Sequence, residues 1–370
     1  LASSVLALAG ANPSLALWEV AEGEAFLSLE ASISADSNIG SNALEQSDTV
    51  YSVTPGFSWE RSRGRGSISL GAECEIQRAS EYESYDSENY SANFSISMPA
   101  TGSGRLRGAF DANYFDGSRV NAFQNTRIAE QSYDLNLSGA YQVSARINAR
   151  AAARHGKTEP EVLAEYESNA FSGGLGYNLS PDVSLFLDAR FTDSSSQRLD
   201  GIGNSSDTSG NAFLVGLDGQ ISARLSGQIG IGYDQSETTF AGVERKFSGF
   251  TYDASLTWAP RERTNVTLDA SNGVQSTSSG GTKFSRVNLS VAQEIGLNMS
   301  ATAGIGFRSS DFAAAERGDD DVMDATIRFR YAMTRNISWS LAYRYTDADS
   351  TNAIVNYSRS VWTFSGTARF

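Results

Sequence analysis

Arginines spaced by two or four residues are the groups in this chain best placed to do chemistry. Arg105 and Arg107, Arg146, Arg150 and Arg154, Arg190, Arg308, Arg328 and Arg330, Arg344 and Arg369 fall on the polar side of alternating segments. In an extended strand that spacing puts guanidinium groups on one face, where their planar forks can grip carboxylates or phosphates. Acids take the same kind of position: Glu30, Glu60, Glu73 and Glu75, Asp111, Asp134, Asp188, Asp218, Asp234, Asp253 and Asp269. The two signs separate along the chain. Arginine dominates near residue 149 and from 304 onward, acid near 72 and from 215 to 268. If the segments close on themselves, these arcs set up a transverse field across the enclosed space, which would orient dipolar solutes. The plainer alternative is that Arg and Asp on neighbouring strands pair and merely stiffen the interior.

Other chemistry is scarce. Cys74 is the only cysteine and His155 the only histidine. Cys/His zinc sites, an internal disulfide and any Ser-His-Asp triad not built on His155 are therefore removed. His155 is expected at the start of an exposed loop with Gly156 and Lys157, so no catalytic residue is assigned and the chain is read as a non-enzyme. Asp319, Asp320, Asp321 and Asp324 offer hard oxygen ligands suited to Ca²⁺. They lack the glycine spacing of an EF-hand loop, and a solvated acidic loop from Glu316 to Asp324 is the preferred reading, with no metal and no cofactor.

The elements that must hold these charges are strands. Of 370 residues, 40% are apolar and only 19% charged, the remainder being largely Ser, Gly, Asn and Thr, the mixture expected of a sheet with one greasy face and one wet face. Nowhere does an uncharged apolar stretch reach the ~18 residues of a spanning helix. A net charge of −14 argues against nucleic acid and against an anionic membrane surface as partners. Residues 1–16 are small and apolar and end in Ser-Leu-Ala, which reads as the tail of a secretory signal; residues 1–24 are taken as that remnant or a short N-terminal segment, and 25–370 as one domain.

From Ala25 onward the hydrophobic period is two. Trp362, Phe364, Gly366, Ala368 and Phe370 share one face, Arg359, Thr363, Ser365, Thr367 and Arg369 the other. Such segments number about 18, centred near residues 30, 55, 72, 93, 110, 136, 149, 174, 188, 215, 229, 253, 268, 289, 304, 328, 341 and 364, or 16 if the weak ones near 30 and 149 are not strands. Tight turns, such as Tyr141 to Ser144, Leu179 to Asp182 and Met333 to Asn336, alternate with connections of 10 to 20 residues, such as Asp36–Asp48, Asp116–Glu130, Thr192–Gly210 and Asp234–Lys246. Short periplasmic turns opposite long external loops are the asymmetry of a bacterial outer-membrane barrel. An open edge in hydrocarbon would leave backbone groups unpaired, so the expected fold is all-β, a closed antiparallel transmembrane β-barrel. Tyr51, Trp59, Tyr90, Tyr114, Tyr141, Tyr177, Tyr233, Trp258, Tyr331 and Tyr345 lie near strand ends, as interfacial girdles would.

Asp36-Ser-Asn-Ile39, then Ser52-Val-Thr-Pro-Gly-Phe-Ser-Trp-Glu60, the basic turn Arg61-Ser-Arg-Gly-Arg-Gly66 and Ser67-Ile-Ser-Leu70 resemble the putative β-barrel porin 2 family. The resemblance implies an outer-membrane channel of Gram-negative bacteria, in some members serving exopolysaccharide export, where polysaccharide or a periplasmic export partner would be its partner. It also implies that the barrel assembly machinery reads the terminal strand, with Trp362, Phe364 and Phe370 as its signature. The alternative kept open is a structural barrel, its lumen plugged and its loops binding a partner.

Overall fold

Alternating residues satisfy their backbone only by pairing with other strands, and the computed structural model shows that pairing carried to closure. It describes residues 18–20, 22–63, 66–98, 105–122, 124–162, 164–198, 205–240, 242–277, 280–312 and 319–370. The signal-like residues 1–16, part of the basic turn after Arg63 and Glu316 lie outside the described residues.

In chain order the strands are β1 Trp18–Val20, β2 Gly23–Asp36, β3 Asp48–Arg63, β4 Gly66–Ala79, β5 Ser87–Met98, β6 Leu106–Asn121, β7 Thr126–Gln142, β8 Ile147–Pro160, β9 Ala164–Asn178, β10 Val183–Arg198, β11 Ser206–Ser222, β12 Leu225–Phe240, β13 Val243–Arg261, β14 Thr264–Thr277, β15 Gly280–Ile295, β16 Met299–Phe312, β17 Asp319–Ala332, β18 Ile337–Ser350 and β19 Tyr357–Arg369. Each of β2–β19 pairs antiparallel with its sequence neighbour, and β19 returns to β2, from Val361 opposite Asp36 to Arg369 opposite Ser28. Phe370 completes the seam, its N–H and C=O both bonded to Leu27 at 2.8 and 2.9 Å. The short β1 lies against the first residues of β2, Trp18 opposite Ala25, in line with β19. The barrel proper has 18 strands, and the segments near residues 30 and 149 are both full members, as β2 and β8.

Large apolar side chains point away from the interior. Leu137, Phe171, Leu175 and Phe250 are each more than half exposed. So much contiguous apolar surface is stable only against lipid. On β3 and β7 the aromatic pairs Tyr51/Trp59 and Tyr133/Tyr141 bracket nine residues inclusive, near the 9–11 or so that a tilted strand needs to cross hydrocarbon.

The 18 barrel strands run 12 to 19 residues, well beyond that need. This corrects the expected loop lengths. The connection predicted over Asp116–Glu130 shrinks to residues 122–125 and the one over Asp234–Lys246 to 241–242; between Thr192 and Gly210 strand covers all but 199–205. Above the lipid both faces of the wall meet water, so hydrophobic alternation fades while the hydrogen-bonded ladder continues. Polar segments that read as loops are wall.

The ring is also uneven. The β13–β14 ladder stops at Asp253 opposite Ser271 on the side away from the short turns. There the Asn272 side chain replaces it, its Oδ1 accepting from Tyr252 N at 2.7 Å and its Nδ2 donating to the Phe250 carbonyl at 2.9 Å. Across the interior, β11 and β12 come within 8 Å of β15, Cα to Cα. Thr238 and Thr282 are fully buried there, and the Thr208 and Thr238 hydroxyls share a 2.9 Å hydrogen bond.

Candidate functional site

Residues directly opposite in a ladder share a face, so one known residue orients the whole barrel. Trp362 and Phe364 face outward, about half exposed on the lipid side. From them the register passes outward through Leu341 and Tyr343, Phe329, Ala303, Leu289, Leu268, Leu256, Ile229, Leu217, Leu185, Tyr177, Ile147, and on through Tyr141, Phe110, Phe94, Leu70 and Phe57 to Leu27. The circuit returns to β19 in the same phase.

On the opposite, inward face this register places Arg107, Arg150, Arg190, Arg308, Arg328, Arg330, Arg344 and Arg369, and likewise Glu73, Glu75, Asp111, Asp188, Asp218, Asp253 and Asp269. Two residues sit elsewhere. Arg105 lies in the turn before β6, its carbonyl accepting from Gln142 N at 2.8 Å. Arg146 precedes β8, and its guanidinium donates to the hydroxyl of lipid-side Tyr177 at 3.2 Å rather than entering the lumen. Spacing alone had extended the β8 phase one turn too far.

The inward charges divide by pairing. On the wall from β7 to β13 three arginines are paired with acids: Arg154 donates to Asp134 at 2.7 Å, Arg150 grips Asp188 through Nε and Nη2 with its guanidinium carbon 4.5 Å from the Phe186 ring centroid, and Arg190 reaches Asp253 at 3.4 Å. Gly174 is required there, because a Cβ would stand 1.8 Å from Asp188 Oδ1. From β15 to β18 no inward arginine makes an ion pair among the described residues, and Arg286 donates to Ser271 Oγ at 2.9 Å. Among the described residues Arg308, Arg328 and Arg344 make no ion pair or hydrogen bond, and Arg330 only donates to Ser338 at 3.3 Å.

The expected transverse field takes a different form. Acids line β2–β4 and β11–β14, and arginines line β6–β8 and β15–β19. β3 and β12 are nine strands apart in the ring of 18, so acid faces acid across the barrel and base faces base. Strand order makes the field alternate around the circumference; its steepest gradient runs between neighbouring sectors, from β17 to β3.

A recess of about 380 Å³ opens in the wall from β5 to β10. Small side chains at Ala109, Ser138, Ala140, Ala152 and Ser172 form its floor, and Arg107 and the Arg150–Asp188 pair its rim.

The mouth away from the short turns holds a feature that periodicity did not reveal. Residues 37–47, which begin with the Asp36-Ser-Asn-Ile stretch, fold into a polar network. Asn38 is fully buried and donates to the carbonyls of Asn42 at 2.7 Å and Ser358 at 3.3 Å. Asn42 donates to Asn125 Oδ1 at 2.6 Å, which also accepts from Tyr85 Oη at 2.8 Å. Arg359 donates through Nε to both oxygens of buried Asp36, at 3.0 and 3.1 Å, and through Nη1 to Ser41 Oγ at 2.9 Å. This loop ties β2 to the β6–β7 hairpin and to β19. Burial pushes the Tyr85 phenol above its ordinary pKa, with Tyr82 adding to the effect. Asp48, at the exposed end of β3, goes the other way: burial alone would raise it, but N–H groups of Tyr82, Glu81, Thr49 and Ser80 together hold it below the usual carboxylate range. Four such Asn and Asp residues in a Ser-rich stretch were the available signal.

His155 is not in a loop but inside β8, facing outward, its Nδ1 2.8 Å from Asn169 Oδ1 and its ring centroid 5.6 Å from that of Tyr133, the two planes tilted by 38°. Asp319, Asp320 and Asp321 belong to β17, so their side chains alternate between faces rather than converge; no group of three or more His, Cys, Asp or Glu side chains suited to a metal occurs among the described residues.

A family model described as putative beta-barrel porin 2 matches residues 169–370. None of the curated proteins compared matches the sequence. Among solved structures, the FrpB iron transporter of Neisseria meningitidis (F5-1 variant, apoprotein) superposes with a TM-score of 0.51 at 8% identity, covering 88% of this chain and 61% of its own. For the ferric-catecholate import receptor Fiu of E. coli K12 the values are 0.49, 10%, 93% and 81%. For OccAB3 of Acinetobacter baumannii they are 0.45, 11%, 95% and 100%. This chain spans about three fifths of the FrpB transporters it matches, and the likeness is one of fold: these are bacterial outer-membrane barrels and transport proteins.

Proposed function

Since this chain belongs to the putative beta-barrel porin 2 family, we propose that it sits in the bacterial outer membrane as a channel through which polar solutes pass. The observation that carries this is the inward face of β16–β18, where the exposed Arg308, Arg328 and Arg344 stand without partners among the described residues. A barrel built only as a rigid anchor gains nothing from unpaired charge, whereas a solute shedding water in a pore is helped by fixed charges and hydroxyls. Exopolysaccharide would be one member of the polar class. The lipid bilayer and the barrel assembly machinery are the partners on this reading, with a periplasmic export partner if the solute is a polymer.

A second reading, a barrel closed at its mouth, draws on the loop 37–47, whose residues 38–40 and 42 are buried. Purified barrel reconstituted in planar bilayers decides between them. Stepwise current in KCl is expected of a channel. Silence from wild type, with current appearing once residues 40–44 are replaced by a short linker, would assign the loop as a closure; silence from both would sink the channel.

A further inference from the structure

The unpaired arginines are not scattered. Register places Arg330 level with Ser300 and Ser340, Arg328 one inward row higher beside Thr302 and Ala342, and Arg344 one row above that, beside Thr326. Two rows further, Arg308 on β16 stands directly opposite Arg286 on β15, which is not free but donates to Ser271 Oγ at 2.9 Å. Successive inward rows are two residues apart, about 7 Å along a strand. The rungs therefore climb the wall from near the short-turn end toward the mouth.

Their surroundings are small and hydroxylated. Ser340 and Ser365 share a hydrogen bond of 2.8 Å, as do Ser34 and Thr363, so these side chains lie along the wall and leave the guanidinium groups standing above it. Two inward acids stand among them with no ion pair among the described residues: Asp324, in the row between Arg344 and Arg308, accepts from Thr346 at 2.7 Å, and Glu294 lies in the row of Arg330, on the far side of Ser300. Directly opposed like charges such as Arg286 and Arg308 work against the sheet. On β8 and β10 the same fold supplies an aspartate to each arginine. On β16–β18 it does not.

We infer that the Arg330–Arg328–Arg344–Arg308 ladder is a track for small oxyanions, carboxylates above all, which pass from rung to rung by exchanging one bidentate contact for the next. The planar fork of each guanidinium matches a carboxylate, and the flanking serine and threonine hydroxyls replace part of its lost hydration. Arg330, Arg328 and Arg344 occupy successive rows about 7 Å apart, so a dicarboxylate can hold one while reaching for the next; Arg308 lies two rows, about 14 Å, beyond Arg344. The overall charge of −14 would favour cations, so the selectivity claimed is local to this wall. The inference rests on the channel reading and names its solute class.

The test uses the full chain in planar bilayers, with succinate as probe and glucose as uncharged control. KCl current establishes the channel. Added succinate is expected to interrupt it in brief blocks, and glucose is not. In the Arg328→Gln/Arg344→Gln variant the half-blocking concentration should rise about tenfold per arginine removed, the equivalent of one charge-assisted hydrogen bond. Lys246→Gln, which removes a cation from the outer face, should leave the block unchanged. A conducting barrel with no succinate block, or with one equal in wild type and ladder variant, overturns the ladder and leaves the channel standing. A folded barrel that carries no current overturns the channel. In that case a succinate-induced rise in Tm in detergent, present in wild type and lost in the variant, still supports the site, and its absence overturns it.

Discussion

Arg359→Met keeps the aliphatic stem of the side chain and removes the fork that holds Asp36 at the mouth of the barrel. The Asp36 side chain is 4% exposed, so it would remain as a buried carboxylate with only the Asn38 N–H, 2.9 Å away, to compensate it. Removing one partner of a buried ion pair costs about 3–5 kcal/mol. The Arg359 side chain is 31% exposed, so water already screens part of the pair, and the low end, ~3 kcal/mol, applies. The converse change, Asp36→Asn, leaves a guanidinium that can turn to water, and about 1–2 kcal/mol is expected. If loop 37–47 opens as a unit, its amide protection reports this energy directly. Ile39 N bonds to Gln46 O at 2.8 Å and Ser41 N to Asn38 O at 3.0 Å. Hydrogen exchange at these two amides should quicken roughly 100-fold in Arg359→Met, and about tenfold in Asp36→Asn, at 1.4 kcal/mol per decade. Acceleration below tenfold in Arg359→Met, or a larger effect in Asp36→Asn, would show that the loop is held by something other than this pair.

Leu137 lies midway between the girdle residues Tyr133 and Tyr141 and faces lipid, so Leu137→Arg should cost about 2–4 kcal/mol in urea unfolding from bilayers, while Ser138→Arg, one residue on and inward, should cost under about 1 kcal/mol; equal costs would reverse the assigned faces. Gly174→Ala puts a methyl 2.6 Å from the Leu187 carbonyl oxygen and against Asp188, a clash worth about 1–3 kcal/mol in the same assay. Gly173→Ala, whose new methyl meets nothing nearer than 4.0 Å, should be close to neutral. Asp48 gives a pH signature: its folded pKa is depressed, so the stability it contributes is complete above its ordinary value of 3.8 and is lost only as pH falls through the lower folded value. Amide protection at Ser80, Glu81 and Tyr82 should therefore hold from pH 7 to about 4 and collapse below; loss already at pH 5 would remove Asp48 as the staple of that loop.

Strand number and facing were legible because lipid imposes a strict rule. Trp362 and Phe364 alternate with Thr363 and Ser365 since one face must be apolar and the next residue must not, and the same constraint marks the segments near residues 30 and 149, weak though they are. The rule lapses where lipid ends. Asp116–Glu130 and Asp234–Lys246 look like loops because neither face is greasy, yet they are ladder. The Asn38–Asn42–Asn125 network was hidden for another reason: the contact that closes it, Asn42 to Asn125, spans 83 residues, and side-chain amides in a polar loop carry no period. Inward arginines were legible as a set, but not which of them are neutralised. That depends on which strand lies alongside, and Arg150 meets Asp188 only because β9 presents glycine between them.

Net charge is a poor guide to what such a barrel conducts, and the placement of its acids says why. Many lie on the outer face above the girdle, where Lys157 pairs with Glu159 and Glu165, Lys246 with Glu244 at 2.9 Å, and Arg78 with Glu88 at 2.6 Å. The wall and about 8 Å of screening at physiological salt separate those charges from the lumen. Within the lumen, paired groups such as Arg154 and Asp134 largely cancel beyond their own length. What remains is the set without partners among the described residues, which includes Arg308, Arg328 and Arg344 on one sector, Glu73 on the next, across the β19–β2 seam, and Arg107, Asp111 and Asp218 elsewhere in the ring. A solute close to that seam feels arginine on one side and glutamate on the other. Glu73→Gln should then strengthen succinate block without altering the outer surface. If it weakens block instead, the two sectors act on the solute together rather than in opposition.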